Sequence, residues 1–224
     1  MKQYIRLTLN QRIQHIILII SFLTLVATGL PVRYHDTAWA GFLINLFGGF
    51  EMRGIIHRTA GVIMILGFVY HTFYIGYLWI IRRKPLTLLP NFKDAKDVVH
   101  NLGYFLGIAK QAPRFDHFNY IEKAEYLALI WGTIVMILTG LILWFPDKAI
   151  CFLPNVIFDI STVLHSCEAL LAFLAILIWH FYYVHLNPHV FPMSKVWLTG
   201  KISEEDMKEE RALEYERIEG KTME

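Results

Sequence analysis

Two long apolar stretches each hold a widely spaced pair of histidines, His57 and His71 in one, His165 and His180 in the other. The first two are fourteen residues apart and the second two fifteen. At about 100° per residue in an α-helix, fourteen steps return to within about 40° of the start and fifteen to within about 60°. Each pair therefore lies on one helix face, its members about 21–22 Å apart at a rise of about 1.5 Å per residue. A single membrane histidine often serves as an interhelical hydrogen bonder. Four matched in depth and face point elsewhere, because facing imidazoles at two levels are what two stacked b-type haem irons require as axial ligands. A zinc or proton-transport site would instead gather its ligands at one level, with carboxylates close by.

These side chains need membrane helices to hold them. Residues 13–32, 55–81, 124–145 and 160–186 are each apolar and about as long as the roughly 20 residues that cross a hydrocarbon core. Their stops are Pro31, Arg82-Arg83-Lys84-Pro85, Pro146 and Asn187-Pro188. They lack the alternation of barrel strands, so helices are expected. The first segment has no cleavage-site pattern before it and reads as a retained span. Lys and Arg crowd the N-terminal residues, the loop after the second segment and the C-terminal residues. The other two loops hold only Arg33, Arg53 and Lys148, with Arg58 just inside the second segment. That bias places both termini in the cytoplasm and runs the second and fourth segments from outside to inside. His57 and His165 then share the outer level, and His71 and His180 the inner one. His15, near the inner end of the first segment, also lies at the inner level. The inner pair is therefore His180 with His71 or with His15, and spacing leaves both open. Gly61, one turn after His57, lets a flat porphyrin approach the helix backbone. Arg33, Arg53 and Arg58 are placed to neutralise propionates at the outer level.

Composition agrees with a membrane chain. Of 224 residues 55% are hydrophobic and 18% charged, with a net charge of +2 and a mean hydropathy of +0.42. Soluble domains carry about 25% charged residues, so a disordered or nucleic-acid-binding chain is excluded. Cys151 and Cys167 form no C-x-x-C-H, which excludes covalent c-type haem. Trp39, Phe42, Leu43, Leu46 and Phe47 recur at helical spacing, as do Val98, Leu102, Phe105, Leu106 and Ala109. Both sets predict short amphipathic helices lying on the bilayer. The stretch 203–218 reads as one solvated charged helix opened by Ser203 with Asp206 three residues on, a solubilising end. His35, His100 and His117 read as surface residues, and His185 and His189 follow the fourth segment at the inner surface. Thr28-Gly29-Leu30 and Thr139-Gly140-Leu141 echo one another at the outer side, too short a match to establish a duplication.

The ordered set of Arg12-x-x-His15, Ser21-Phe22, Thr28-Gly29-Leu30-Pro31, His57-Arg58-x-x-Gly61, Thr139-Gly140-Leu141, His165, His180-Phe181-Tyr182 and Phe191-Pro192 resembles the bacterial cytochrome b561 superfamily. That group includes the di-haem cytochrome b (gamma) subunits of formate dehydrogenases and nickel-iron hydrogenases, and the resemblance spans most of 12–200. It implies an all-α integral membrane protein, a four-transmembrane-helix bundle binding two non-covalent, bis-His haem b groups. Residues 1–193 would form the cytochrome b domain and 194–224 a cytoplasmic charged helical tail. The outer haem iron would be held by His57 and His165, near Arg58 and Gly61, and the inner by His15 and His180. His71 falls where relatives such as the hydrogenase subunits tend to carry arginine. It is left as a propionate partner, a quinone-site proton donor or the inner ligand in place of His15, and the resemblance favours His15 as ligand.

The implied function is electron transfer across the bacterial inner membrane, between a redox partner subunit of iron–sulfur, multihaem c, molybdenum or nickel–iron type and the quinone or menaquinone pool. His71, Glu125, Tyr126 and His185 are the quinone-site candidates, since quinone chemistry couples electrons to protons. Glu168, one turn after His165, is placed to tune the outer haem. The competing expectations are a stand-alone cytochrome b561-type quinol oxidase, and a non-redox membrane anchor or transporter subunit using its histidines for packing or metal.

Overall fold

The computed structural model describes residues 2–188 and 190–220; His189 lies outside them. Among the described residues, four helices are long and apolar enough to cross a membrane: α1 (Leu9–Arg33), α3 (Gly49–Ile80), α5 (Tyr120–Trp144) and α7, whose α-helical part Val156–Leu174 continues as π-helix through Ala175–His180 and Tyr182–Leu186. At most 17% of the most apolar window of any of them is buried within the chain, so their apolar side chains point outward. Shorter helices are α2 (Ala38–Leu46), α4 (Phe92–Phe105), α6 (Pro146–Ala149), α8 (Val196–Thr199), α9 (Glu204–Glu210) and α10 (Ala212–Glu219). The expectation of an all-α chain needs one correction. Strands β1 (Gln3–Ile5) and β2 (Lys201–Ser203) pair antiparallel, with Tyr4 opposite Ile202. Three-residue strands carry too little alternation to be visible in sequence.

Polar caps, rather than the edges of apolar runs, set several helix starts. Thr8 and Gln11 exchange reciprocal hydrogen bonds ahead of α1, Gln11 N donating to Thr8 Oγ1 and Thr8 N to Gln11 Oε1. Asn119 and Glu122 do the same for α5, and Asn91 and Asp94 for α4. Each satisfies backbone donors that a helix start leaves open, so α1 and α5 begin four residues before the expected 13 and 124. Pro31, expected as a stop, sits inside the last turn of α1, which runs on to Arg33. The π turns of α7 bear on the histidine spacing. An i→i+5 step turns the chain by less than the 100° of an α-helix, which reduces the 60° offset between His165 and His180 and draws them toward one line.

The chain divides into two compact units, with boundaries inside α1, α3 and α5. One comprises residues 1–12, 75–128 and 195–224. Its apolar centre is Tyr4, Ile202, Met207 and Tyr215, with Val196 packed against them. Around it lie ion pairs. Glu122 accepts from Arg6 at 3.1 Å and Arg211 at 2.7 Å, and Lys123 Nζ reaches both oxygens of Asp94 at 2.8 and 2.9 Å. The expectation of one solvated helix over 203–218 is therefore corrected. Stretch 203–218 is two helices broken at Arg211, with Met207, Ala212, Glu214 and Tyr215 buried. His117 is likewise no plain surface residue, since its Nδ1 lies 2.5 Å from Glu214 Oε1. Helix α4 buries its acidic side, Asp94 and Asp97, and exposes Val99, Leu102 and Phe105.

The other unit, 13–74 and 129–194, holds the remainder of the four long helices together with α2 and α6. Arg53 Nη1 donates to Thr28 O at 2.6 Å, tying α3 to α1. Arg33 Nη1 donates to Ser166 Oγ at 2.8 Å, tying α1 to α7. The Arg58 guanidinium lies 5.8 Å from the Trp144 ring centre, linking α3 to α5.

Two outcomes follow for the first unit. Lys123→Ala leaves Asp94 charged and buried, at a cost of about 3–5 kcal/mol. Hydrogen exchange in 92–105 is expected to accelerate, and Asp94→Ala in the same chain to restore most of the protection. Burial pushes the Glu214 carboxyl up, but the His117 hydrogen bond and the charges of His117 and Arg6 outweigh it and hold the group below its usual value of 4.5. A depressed carboxylate stabilises the fold above its unfolded value and loses that contribution as pH falls through the folded one. Protection of 212–219 is expected to decline below about pH 4.5, and Glu214→Gln to flatten that dependence.

Candidate functional site

The membrane helices bring the histidines together as two pairs. The ring centres of His57 on α3 and His165 on α7 are 6.4 Å apart, with planes at 66°. Those of His15 on α1 and His180 on the π-helical part of α7 are also 6.4 Å apart, at 68°. The distance has a simple meaning. A metal–imidazole nitrogen bond is about 2 Å, and a five-membered ring with bonds of about 1.3–1.4 Å puts each atom about 1.1 Å from its centre. Two imidazoles binding one ion from opposite sides therefore have centres about 6.2 Å apart. Both pairs fit the axial donor set of a haem iron. Among the described residues, no group of three or more His, Cys, Asp or Glu side chains comes together to hold a metal ion. His71 Nδ1 lies 2.8 Å from Gln14 Oε1 on α1.

The second nitrogen of each ring in the first pair is engaged. His57 Nδ1 is 2.9 Å from Thr28 Oγ1 on α1, and His165 Nδ1 is 2.9 Å from Thr139 Oγ1 on α5. The following glycine makes room in both places. A Cβ on Gly29 would meet His57 Cε1 at 3.1 Å, and one on Gly140 would meet His165 Cε1 at 3.2 Å. The three-residue echo between 28–30 and 139–141 is thus two equivalent seats for two histidines. Sequence reading noted the repeat but missed its use; the signal was that both repeats lie at the depth of a histidine. In the second pair, the buried Nδ1 of His15 has no hydrogen-bond partner among the described residues.

The other expected site residues are placed as follows. Arg53 and Arg33 end on Thr28 O and Ser166 Oγ, beside the first pair, and Arg58 Nε donates to Gly54 O. Arg58 also lines a groove of about 430 Å³ with Ile55, Thr59, Val62, Ile63 and Trp144. A Cβ on Gly61 would have no atom within 4 Å, so the space beside that turn is open. Glu168 reaches α5, where a Cβ at position 132 would lie 2.5 Å from its Oε1. His185 packs its ring against Phe181 at 4.9 Å, and its buried Nδ1 has no hydrogen-bond partner among the described residues. Glu125 and Tyr126 are half-buried and belong to the first unit, whereas His71 and His185 belong to the second.

Comparison with known proteins adds to this geometry. A family model described as prokaryotic cytochrome b561 matches residues 6–196. The chain is similar to the formate dehydrogenase cytochrome b556(fdo) subunit of Escherichia coli strain K12, 23% identical over 196 residues, covering 88% of this chain and 86% of the relative. It is also similar to the formate dehydrogenase cytochrome b556 subunit of Haemophilus influenzae, 27% identical over 172 residues, covering 76% and 66% respectively.

The close seat of Glu168 on α5 has a measurable consequence. Gly132→Ala must displace the Glu168 carboxylate, the far end of a flexible side chain, so its cost is expected to fall below the about 1–3 kcal/mol of core overpacking, read as a slight lowering of the thermal midpoint in detergent. Glu168→Ala, by removing the carboxylate, is expected to suppress the Gly132→Ala defect; additive losses would refute the contact.

Proposed function

From the premise that the chain belongs to the prokaryotic cytochrome b561 family, whose members bind haem b, we propose that it is the membrane cytochrome b subunit of a redox complex, carrying electrons between a partner subunit and the quinone pool. The observation that carries this reading is the pair of equivalent imidazole sets, each with ring centres 6.4 Å apart, on helices long enough to cross a membrane. In it His57 and His165 hold one haem b and His15 and His180 a second. When bound, the haems supply one-electron carriers at two depths. The chain's own residues then do the rest: the imidazoles fix ring orientation, Arg33, Arg53 and Arg58 supply positive charge at the His57–His165 end, and the apolar helices exclude water.

The bias of Lys and Arg supports placing both termini and the His15–His180 end on the cytoplasmic side of a bacterial inner membrane. Residues 75–128 and 195–224 would then be cytoplasmic or interfacial apart from the ends of the long helices. His71, Glu125, Tyr126 and His185 are the candidates for handling the protons that accompany quinone reduction or quinol oxidation. The two relatives are named as formate dehydrogenase subunits, which supports a partner that is itself a redox subunit of a membrane complex.

Haem quantification on the purified protein tests the reading. Two haem b per chain are expected, one of them lost in His57→Ala or His165→Ala and the other in His15→Ala or His180→Ala, with both kept in His71→Ala. A preparation without a reduced b-type spectrum would overturn the function. Loss of a haem in His71→Ala with retention in His15→Ala would reverse the assignment of the second pair.

A further inference from the structure

We propose that Thr28 and Thr139 are positioning residues that fix the proton of His57 and His165 on Nδ1, and so reserve Nε2 of both rings for one iron. The inference rests on the reading of these two histidines as ligands of one haem. It begins with a count of protons. A threonine hydroxyl has one to donate and lone pairs to accept with. Thr28 Oγ1 lies 2.6 Å from Thr24 O, and Thr139 Oγ1 lies 2.7 Å from Val135 O. A carbonyl oxygen only accepts, so each hydroxyl spends its proton on the carbonyl one turn earlier in its own helix. Toward the imidazole, 2.9 Å away in both cases, the oxygen is left as an acceptor. The nitrogen facing it must carry the hydrogen. Each ring then carries a proton on Nδ1, and in the neutral imidazole that leaves the lone pair on Nε2.

The two seats are built alike although they come from different helix pairs. Thr28 and Gly29 of α1 serve His57 of α3, and Thr139 and Gly140 of α5 serve His165 of α7. In both, the hydroxyl holds the ring nitrogen while the glycine lets Cε1 approach the neighbouring helix to a distance that a methyl group would oppose. Hydrogen bonding at the far nitrogen of a ligating histidine orients the ring and raises its basicity, and losing it costs about 10–100-fold in metal affinity. A more basic ligand favours the ferric state, so these hydroxyls hold the potential of this haem down. The second pair lacks the device at His15, whose Nδ1 has no hydrogen-bond partner among the described residues. Thr28 and Thr139 reach only the imidazoles of the first pair, so the effect is confined to one haem and the other is an internal control.

The test uses full-length protein in detergent, with redox titration and low-temperature electron paramagnetic resonance of Thr28→Val, Thr139→Val, Thr28→Ser and Thr139→Ser. The valine variants are expected to raise the midpoint potential of one haem only, shift its low-spin signal and weaken its retention about 10-fold or more. The serine variants, which keep the hydroxyl, are expected to hold wild-type values. Loss of that haem in the valine variants with wild-type potential in the serine variants equally supports the proposal. Unchanged potentials in valine variants that retain both haems would overturn it. So would equal shifts of both haems, or serine variants that fail like valine ones, which would assign the positions to packing. His57→Ala and His165→Ala made in parallel separate the two levels. If they leave both haems in place the ligand reading fails, whereas if they remove one haem and the threonine variants change nothing, only the present inference fails.

Discussion

An N–H group within a bundle of apolar helices has no water to bond, so it must find its acceptor within the protein. Much of the second unit follows from that constraint as it applies to imidazole. His57 and His165 each carry two ring nitrogens, and a haem iron in the proposed reading engages one of each. The other needs an acceptor on a neighbouring helix at the same depth, which Thr28 and Thr139 provide. Meeting that need sets the register of α1 against α3 and of α5 against α7. It also requires the backbone to come close, which the glycines next to both threonines permit. The arginines at this end make use of the same turns, Arg53 on the carbonyl of Thr28 and Arg33 on the hydroxyl next to His165.

The second histidine pair reaches the same ring separation by another route. His15 comes from α1 rather than α3, and His180 sits where α7 is wound as π-helix. Wider turns there lower the angle per residue and bring a fifteen-residue spacing closer to a single face. Departures from α-helical winding are frequent at functional positions, and here one has a geometric purpose. Gln14, adjacent to His15, holds His71 at 2.8 Å. Neighbouring residues of α1 thus occupy two different histidines. In the proposed function that leaves His71 near the second haem and available for protons rather than for iron.

The first unit is organised by charge. Its apolar centre is small, and buried Arg6, Lys123, Asp94, Arg211 and Glu214 are accommodated because each has an opposite charge within reach. Burial lowers the basicity of Arg6, an effect Glu122 opposes. The acidic side of α4 faces inward for the same reason, which turns its apolar side out. A charged sequence such as 203–218 looks solvated when its partners, Tyr4, Arg6 and His117, are about a hundred or two hundred residues away along the chain.

Periodicity and composition were sufficient for the four long helices, because a run of some twenty apolar residues has few other ways to satisfy its backbone. The depth of His57 and His165, and their facing sides, were also legible, since rise and rotation per residue are constants of the α-helix. The capped starts of α1 and α5 were overlooked for a local reason: Thr8–Gln11 and Asn119–Glu122 lie in polar sequence, outside the apolar runs. Other features depended on contacts that no local pattern encodes. These include the meeting of His15 with His180, the pairing of β1 with β2, and the burial within 203–218. Such contacts join residues distant along the chain, and their partners are selected by which groups must be paired once water is excluded. The sequence by itself determined a membrane chain with histidines at two depths. Only the tertiary structure decided which imidazoles face one another and which hydroxyl holds each, because a hydrogen bond between helices depends on their register, and register is a property of the packed helices together.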